Sequence, residues 1–144
     1  MKKIFVVCAF LASFAASAAE ISFTYFGNDL GRQVYYSCDY VEDQATYYLN
    51  LLGANHIDVM CTGGIQNWSW MPIHLKANFE LPLITGNGVE TLELQGDTWN
   101  PNCGINTTII NEALKTMNHI RLIKKSDSCP FQDSNYFYQL QVQR

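Results

Sequence analysis

The chain is short of positive charge, has no C-x-x-C, and has no apolar run long enough to span a bilayer. Its 144 residues carry 9 Lys+Arg against 13 Asp+Glu, and no basic run is longer than the pairs Lys2-Lys3 and Lys124-Lys125. Nucleic acid and anionic lipid are held by clustered positive charge, so neither is expected as the main partner. Without C-x-x-C there is no thioredoxin-like redox motif. His56, His74 and His119 are well separated, and no H-E-x-x-H or G-x-S-x-G pattern is present. The local signatures of a zinc-protease helix and of a nucleophile elbow are therefore missing. Gly63-Gly64 is too little for a phosphate loop, and no cofactor is expected.

The apolar run that does exist, Ile4 to Ala16, falls short of the ~20 residues of a spanning helix. It follows Lys2-Lys3 and precedes the small residues Ala16-Ser17-Ala18-Ala19. This is the pattern of a secretory signal peptide over residues 1–19, with a mature chain starting at Ala19 or Glu20. No membrane insertion is expected after cleavage, and the expected location is the periplasm or the external medium. Cys8 lies inside the run with no small-residue site ahead of it, which argues against a lipoprotein. Loss of Lys2 and Lys3 leaves seven cationic side chains against 13 acidic ones. The balance suits solubility.

Cys38, Cys61, Cys103 and Cys129 then remain, an even number that reads as two disulfides in an exported protein. A zinc site would use short paired spacings that these cysteines lack. Residues 20–144 are one domain's worth of chain, without a flexible linker or low-complexity tract.

Periodicity predicts the elements. EISFTYF at Glu20–Phe26 alternates as a strand, and Gln33–Ser37 is a second extended run after a turn at Gly27 to Gly31. Val41, Ala45, Tyr48, Leu49 and Leu52 form one helical stripe. Asp39 and Glu42 fit a capping box at its start, and Gly53 a left-handed residue at its end. His56–Met60 alternates as a strand closed by Cys61 to Gly64. Gly64–Met71 reads as a loop carrying Trp68 and Trp70. Ile73 to Leu81 is a long strand with one wet face. Strands are also expected at Val89–Gln95, Ile120–Ile123 and Tyr136–Gln143. A second helix carries Ile110, Ala113, Leu114 and Met117, with Asn118 as a left-handed terminator.

A shift of 65 places Cys38 on Cys103, Leu49 on Leu114 and Gly53 on Asn118. It also places Ile73, Leu75 and Ala77 on Tyr138, Leu140 and Val142. The chain thus reads as two β-α-β-β units, pseudo-repeats at about 20–82 and 86–144. The expected fold is α+β, with a mixed or antiparallel sheet and both helices on one face. Parallel crossover strands end at one sheet edge, so Cys38 should pair with Cys61 and Cys103 with Cys129. Each bridge would stabilise by roughly 3 kcal/mol on the chain-entropy model.

The segment Val34–Gly64, VYYSCDYVEDQ…LNLLGANHIDVMCTGG, resembles uncharacterised exported proteins of proteobacteria that share this cysteine-bounded β-α-β. The resemblance implies an exported compartment and no particular activity.

Two groups of side chains suggest function. Trp68 and Trp70, with Tyr35, Tyr36, Tyr40 and Tyr47 near the first helix, can anchor a protein, a peptide or a sugar ring. Alternatively the tryptophans fold back over the open end of the core. Asp39, Glu42 and Asp43 can serve acid–base chemistry or hold a cation, or serve as a helix cap and surface charge. The sequence points first to a non-catalytic module that binds a protein, peptide or glycan through Trp68 and Trp70. The alternatives are a small exported hydrolase using those carboxylates, and a structural envelope component or inhibitor.

Overall fold

The structure, a computed structural model, describes residues 16–29, 32–96, 102–129 and 135–144. In chain order these form β1 (Ala18–Tyr25), β2 (Asn28–Asp29), β3 (Arg32–Gln33), α1 (Cys38–Leu51), β4 (Asn55–Gln66), β5 (Ser69–Glu80), β6 (Val89–Gln95), α2 (Cys103–Thr116), β7 (Ile120–Ser126) and β8 (Phe137–Gln143). The expected signal segment up to residue 15 lies outside the described residues, as do Gly31, Trp99, Pro101 and Pro130. β1 opens at Ala18, so a mature start at Ala19 or Glu20 would trim only its first one or two residues.

Alternation decides what each strand buries. In β5, Ile73, Leu75, Ala77 and Phe79 are buried while His74 and Lys76 face solvent. β5 is the middle strand of a sheet ordered β1-β5-β4, and β8 the middle strand of a second, ordered β6-β8-β7. All of these pairings are antiparallel. The fold is α+β with two β-α-β-β units, and its six main strands divide between two three-stranded sheets instead of joining in one. α2 lies against β1, and Tyr47, Tyr48 and Leu51 of α1 line a groove with Leu92 and Leu94 of β6. The inner sheet faces and both helices share one core, from Ile21 and Leu49 to Ile109 and Leu140.

Both expected disulfides are present, Cys38–Cys61 and Cys103–Cys129, with Cα atoms 5.4 and 5.7 Å apart. Their setting differs from the crossover expected. β1 and β4 do run in the same direction, but β5 lies between them. Cys38 is the first residue of α1, not the last of a strand, so the bridge ties a helix N-terminus to β4.

Several boundaries correct the sequence reading. α1 is capped by Ser37, whose Oγ accepts the Tyr40 N–H at 3.3 Å, so Asp39 is not the cap. Its C-terminus behaves as expected. Gly53 takes φ +91°, donates to Asn50, and lets Ala54 donate to Leu49, a Schellman closure. Asn118 does not take the matching role, for it is not among the residues with positive φ. α2 instead ends at Met117 with ψ 83°, and the Met117 carbonyl accepts the Ile120 N–H. Extended structure after the β2 turn stops at Gln33, short of the expected Ser37. β4 runs beyond Met60 to Gln66, because Gly63 and Gly64 make a bulge and not a stop. A Cβ at Gly63 would lie 2.0 Å from the Pro72 carbonyl oxygen, so glycine is required there.

Candidate functional site

The stretch expected as a loop around the tryptophans is the tip of the β4–β5 hairpin. Ile65 pairs with Trp70 and Gln66 with Ser69, which leaves Asn67-Trp68 as a two-residue turn. Two-residue hairpins favour positive φ at both turn positions, with Asn then Gly as the preferred pair. Asn67 and Trp68 have φ 47° and 66°. Tryptophan therefore occupies a place that glycine fills without strain, at a cost on the order of 1 kcal/mol. Its side chain recovers nothing by packing, since Trp68 is 105% exposed.

Trp70 is placed differently. It is half-buried, its ring centroid lies 5.4 Å from that of Tyr35, and its indole stands 3.1 Å from where a Gly27 Cβ would be. Its Nε1 is buried without a partner among the described residues. The two tryptophans thus divide the two readings between them: Trp68 stands out from the surface while Trp70 packs beneath the tip.

Phe26, Tyr35, Ile65 and Met71 are also exposed at this end of the sheet. Sequence inspection did not single out Phe26, Ile65 or Met71. The hairpin register would have found the last two, because it sets Ile65 opposite Trp70 and Gly64 opposite Met71. That register was hidden by the unusual turn pair.

The carboxylate candidates do not converge. Asp39 and Asp43 are exposed, and the Glu42 Oε1 accepts the Cys61 N–H at 2.8 Å, bracing α1 against β4. The histidines stay apart. His74 sits on the wet face within 2.9 Å of Thr24 Oγ1, and His56 lies 2.9 Å from Glu80. His119 is buried, with Nε2 3.1 Å from the Leu52 carbonyl. Among the described residues no three His, Cys, Asp or Glu are arranged to hold a metal ion. No helix among them is long and apolar enough to cross a membrane.

Two polar clusters have a structural character. Tyr48 and Tyr136 hydroxyls are hydrogen-bonded in the core, and Asn106 Nδ2 donates to Tyr136 at 3.4 Å. Burial, then the contact with Tyr136, pushes the Tyr48 hydroxyl well above the ordinary tyrosine range. Asp127 accepts hydrogen bonds from Asn111 and Lys125 at 2.9 Å and from Tyr138 at 3.2 Å. Burial, then the Asp127 charge, raises Tyr138 in turn. Neither cluster opens onto the Trp68 tip. Comparison with protein-family models, curated proteins and solved structures returns no match to this chain.

Proposed function

We propose that this is an exported, non-catalytic module that binds a protein, peptide or glycan through the Trp68 hairpin tip. The observation that carries the reading is the fully exposed indole at a left-handed turn position. A residue strained at no gain in packing is a candidate for a function outside the fold. Trp70 and Tyr35 support the tip from below, and exposed Phe26, Ile65 and Met71 widen its apolar contact. Two disulfides in a domain of this size are consistent with an oxidising compartment. The signal-like N-terminus and the resemblance to exported proteobacterial proteins favour the same compartment. Helices that both span 14 residues and begin at Cys38 and Cys103 favour an internal repeat. A hydrolase built on Asp39, Glu42 and Asp43 is disfavoured, since Glu42 is engaged by Cys61 and the aspartates stand in solvent.

The test is Trp68→Gly combined with photo-crosslinking. Glycine suits the turn, so the variant should be as stable as the parent or about 1 kcal/mol more stable in urea denaturation. A photoreactive benzoylphenylalanine at position 68 should capture a discrete partner in the envelope fraction of the producing cell. The same group at Glu93, on the outer face of the other sheet, should not. Unfolding of Trp68→Gly, or equal capture from both positions, removes the proposal.

A further inference from the structure

The second sheet carries an outer strand, β7, beside an apolar groove. Of the four outer strands, β1 lies against α2 and β6 beside α1. β4 has N–H groups already engaged, Cys61 with the Glu42 carboxylate and Ile65 with the Tyr36 carbonyl. β7, like β6, has β8 as its only strand partner among the described residues and borders a helix across a groove. It is set apart by the cations Arg121, Lys124 and Lys125 that it carries, where β6 carries Glu90 and Glu93.

The register shows which groups are open. Gln143 N–H donates to the His119 carbonyl, which makes Ile120–Val142 a non-hydrogen-bonded pair of the ladder. Ile120 and Leu122 therefore direct their backbone groups away from β8. The Ile120 N–H is taken by Met117, so among the described residues the groups left without a backbone partner are the Ile120 carbonyl and the Leu122 N–H and C=O. The side chains of Ile120 and Leu122 point to the inner face, where with Asn111, Leu114, Lys115 and Lys125 they line a groove of about 410 Å³. Leu122 remains 41% exposed there. Arg121 and Lys124, paired with Gln141 and Gln139, project from the opposite face. Lys115, Arg121, Lys124 and Lys125 are four of the seven cations that follow the signal-like segment, in a chain that is otherwise acidic. Lys115 and Lys125 already meet Glu112 and Asp127; Arg121 and Lys124 supply the charge facing outward.

We propose that β7 is a second docking edge, which takes an extended acidic segment of a partner protein as a fourth strand. Such a segment would pair with Leu122 and the Ile120 carbonyl. It would seat alternate aliphatic side chains over Leu114 and Leu122, and present the intervening carboxylates to Arg121 and Lys124. Backbone pairing gives the affinity, while the alternation of aliphatic and acidic residues gives the selectivity. The bulge between Leu122 and Lys124 limits pairing to a short segment. The competing role for these cations is to keep the edge from self-association, and the test separates the two.

The probe is a fluorescein-labelled octapeptide alternating valine with glutamate, followed by anisotropy with the full exported chain. Saturable binding is expected, weakened by added salt. Leu122→Pro removes an outward N–H at no cost to the β8 ladder and should abolish binding. The double variant Arg121→Glu, Lys124→Glu should weaken it at least tenfold, whereas Trp68→Gly should leave it unchanged. Circular dichroism melts of the variants confirm that they are folded. Because Leu122→Pro also deletes an apolar side chain, Leu122→Val serves as its folded, N–H-bearing control and should retain binding. No binding up to about 1 mM peptide, equal binding of a valine–lysine octapeptide, or binding that survives both Leu122→Pro and the charge reversal would overturn the proposal and leave the cations as edge protection.

Discussion

Asp127 illustrates how one side chain can join three elements. Its carboxylate receives Asn111 from α2, Lys125 from β7 and the Tyr138 hydroxyl from β8, two residues before the cysteine that bridges back to α2. Partial burial pushes the carboxyl up, but the hydrogen bonds from Asn111 and Lys125, the Lys125 charge and the Tyr138 hydroxyl outweigh that and hold it below its ordinary value. A carboxylate lowered in the folded state stabilises fully above its unfolded pKa. That contribution is lost as the pH falls through the lowered folded value. Asp127→Asn should therefore be less stable than the parent at neutral pH, with the gap closing below about pH 4. Urea titrations of both proteins across that range check it, and a gap that does not narrow would show that charge plays no part at this junction.

At the scale of the element, the first helix separates two claims about its start. Ser37 Oγ caps the Tyr40 N–H, while Asp39 lies one residue inside the helix and is exposed. Ser37→Ala should cost about 1 kcal/mol and Asp39→Ala less, since a first-turn aspartate has only the helix dipole to gain from. Thermal or urea unfolding of the two single variants decides the order. Sequence favoured Asp39 because Asp39-x-x-Glu42 imitates a capping box, and nothing local reveals that Glu42 is spent on Cys61 in β4. Elements set by side-chain period were legible: β6 falls on Val89–Gln95 as expected, and the buried stripe of α1 holds Val41, Ala45, Tyr48 and Leu49. What period cannot carry was missed. Gly63-Gly64 can end a strand or bulge it, and only the carbonyl of Pro72 across the hairpin chooses. The candidate site was legible as a pair of tryptophans. Their opposite placements were not, because they depend on a turn in which tryptophan stands where glycine is preferred.

For the whole molecule, the question is whether the two units are independent. Each disulfide closes within its own unit, over separations of 23 and 26 residues, so covalent bonds alone would allow autonomy. The core argues otherwise. α2 lies against β1 of the other unit, α1 packs on α2, and Tyr48 of the first unit meets Tyr136 of the second through their hydroxyls. His119 of the second unit lies within hydrogen-bonding distance of the carbonyl of Leu52, at the end of the first helix. A half-chain would expose Ile105, Ile109 and Ile110 on one side, or Ile21 and Tyr48 on the other, all buried in the intact fold. A piece of roughly 60 residues is already marginal, because it buries only about 60% of its surface. Residues 20–85 and 86–144, produced separately and oxidised, should therefore each lack a dispersed amide spectrum and regain it when mixed. The intact chain should unfold in one transition by circular dichroism and by tryptophan fluorescence. Independent folding of either half would mean that the shared core is an interface between two finished domains. The Trp68 tip in the first unit and the β7 edge in the second would then be free to move relative to each other. With one cooperative core they are instead held at a fixed spacing, so a partner that engages both gains from their rigid arrangement.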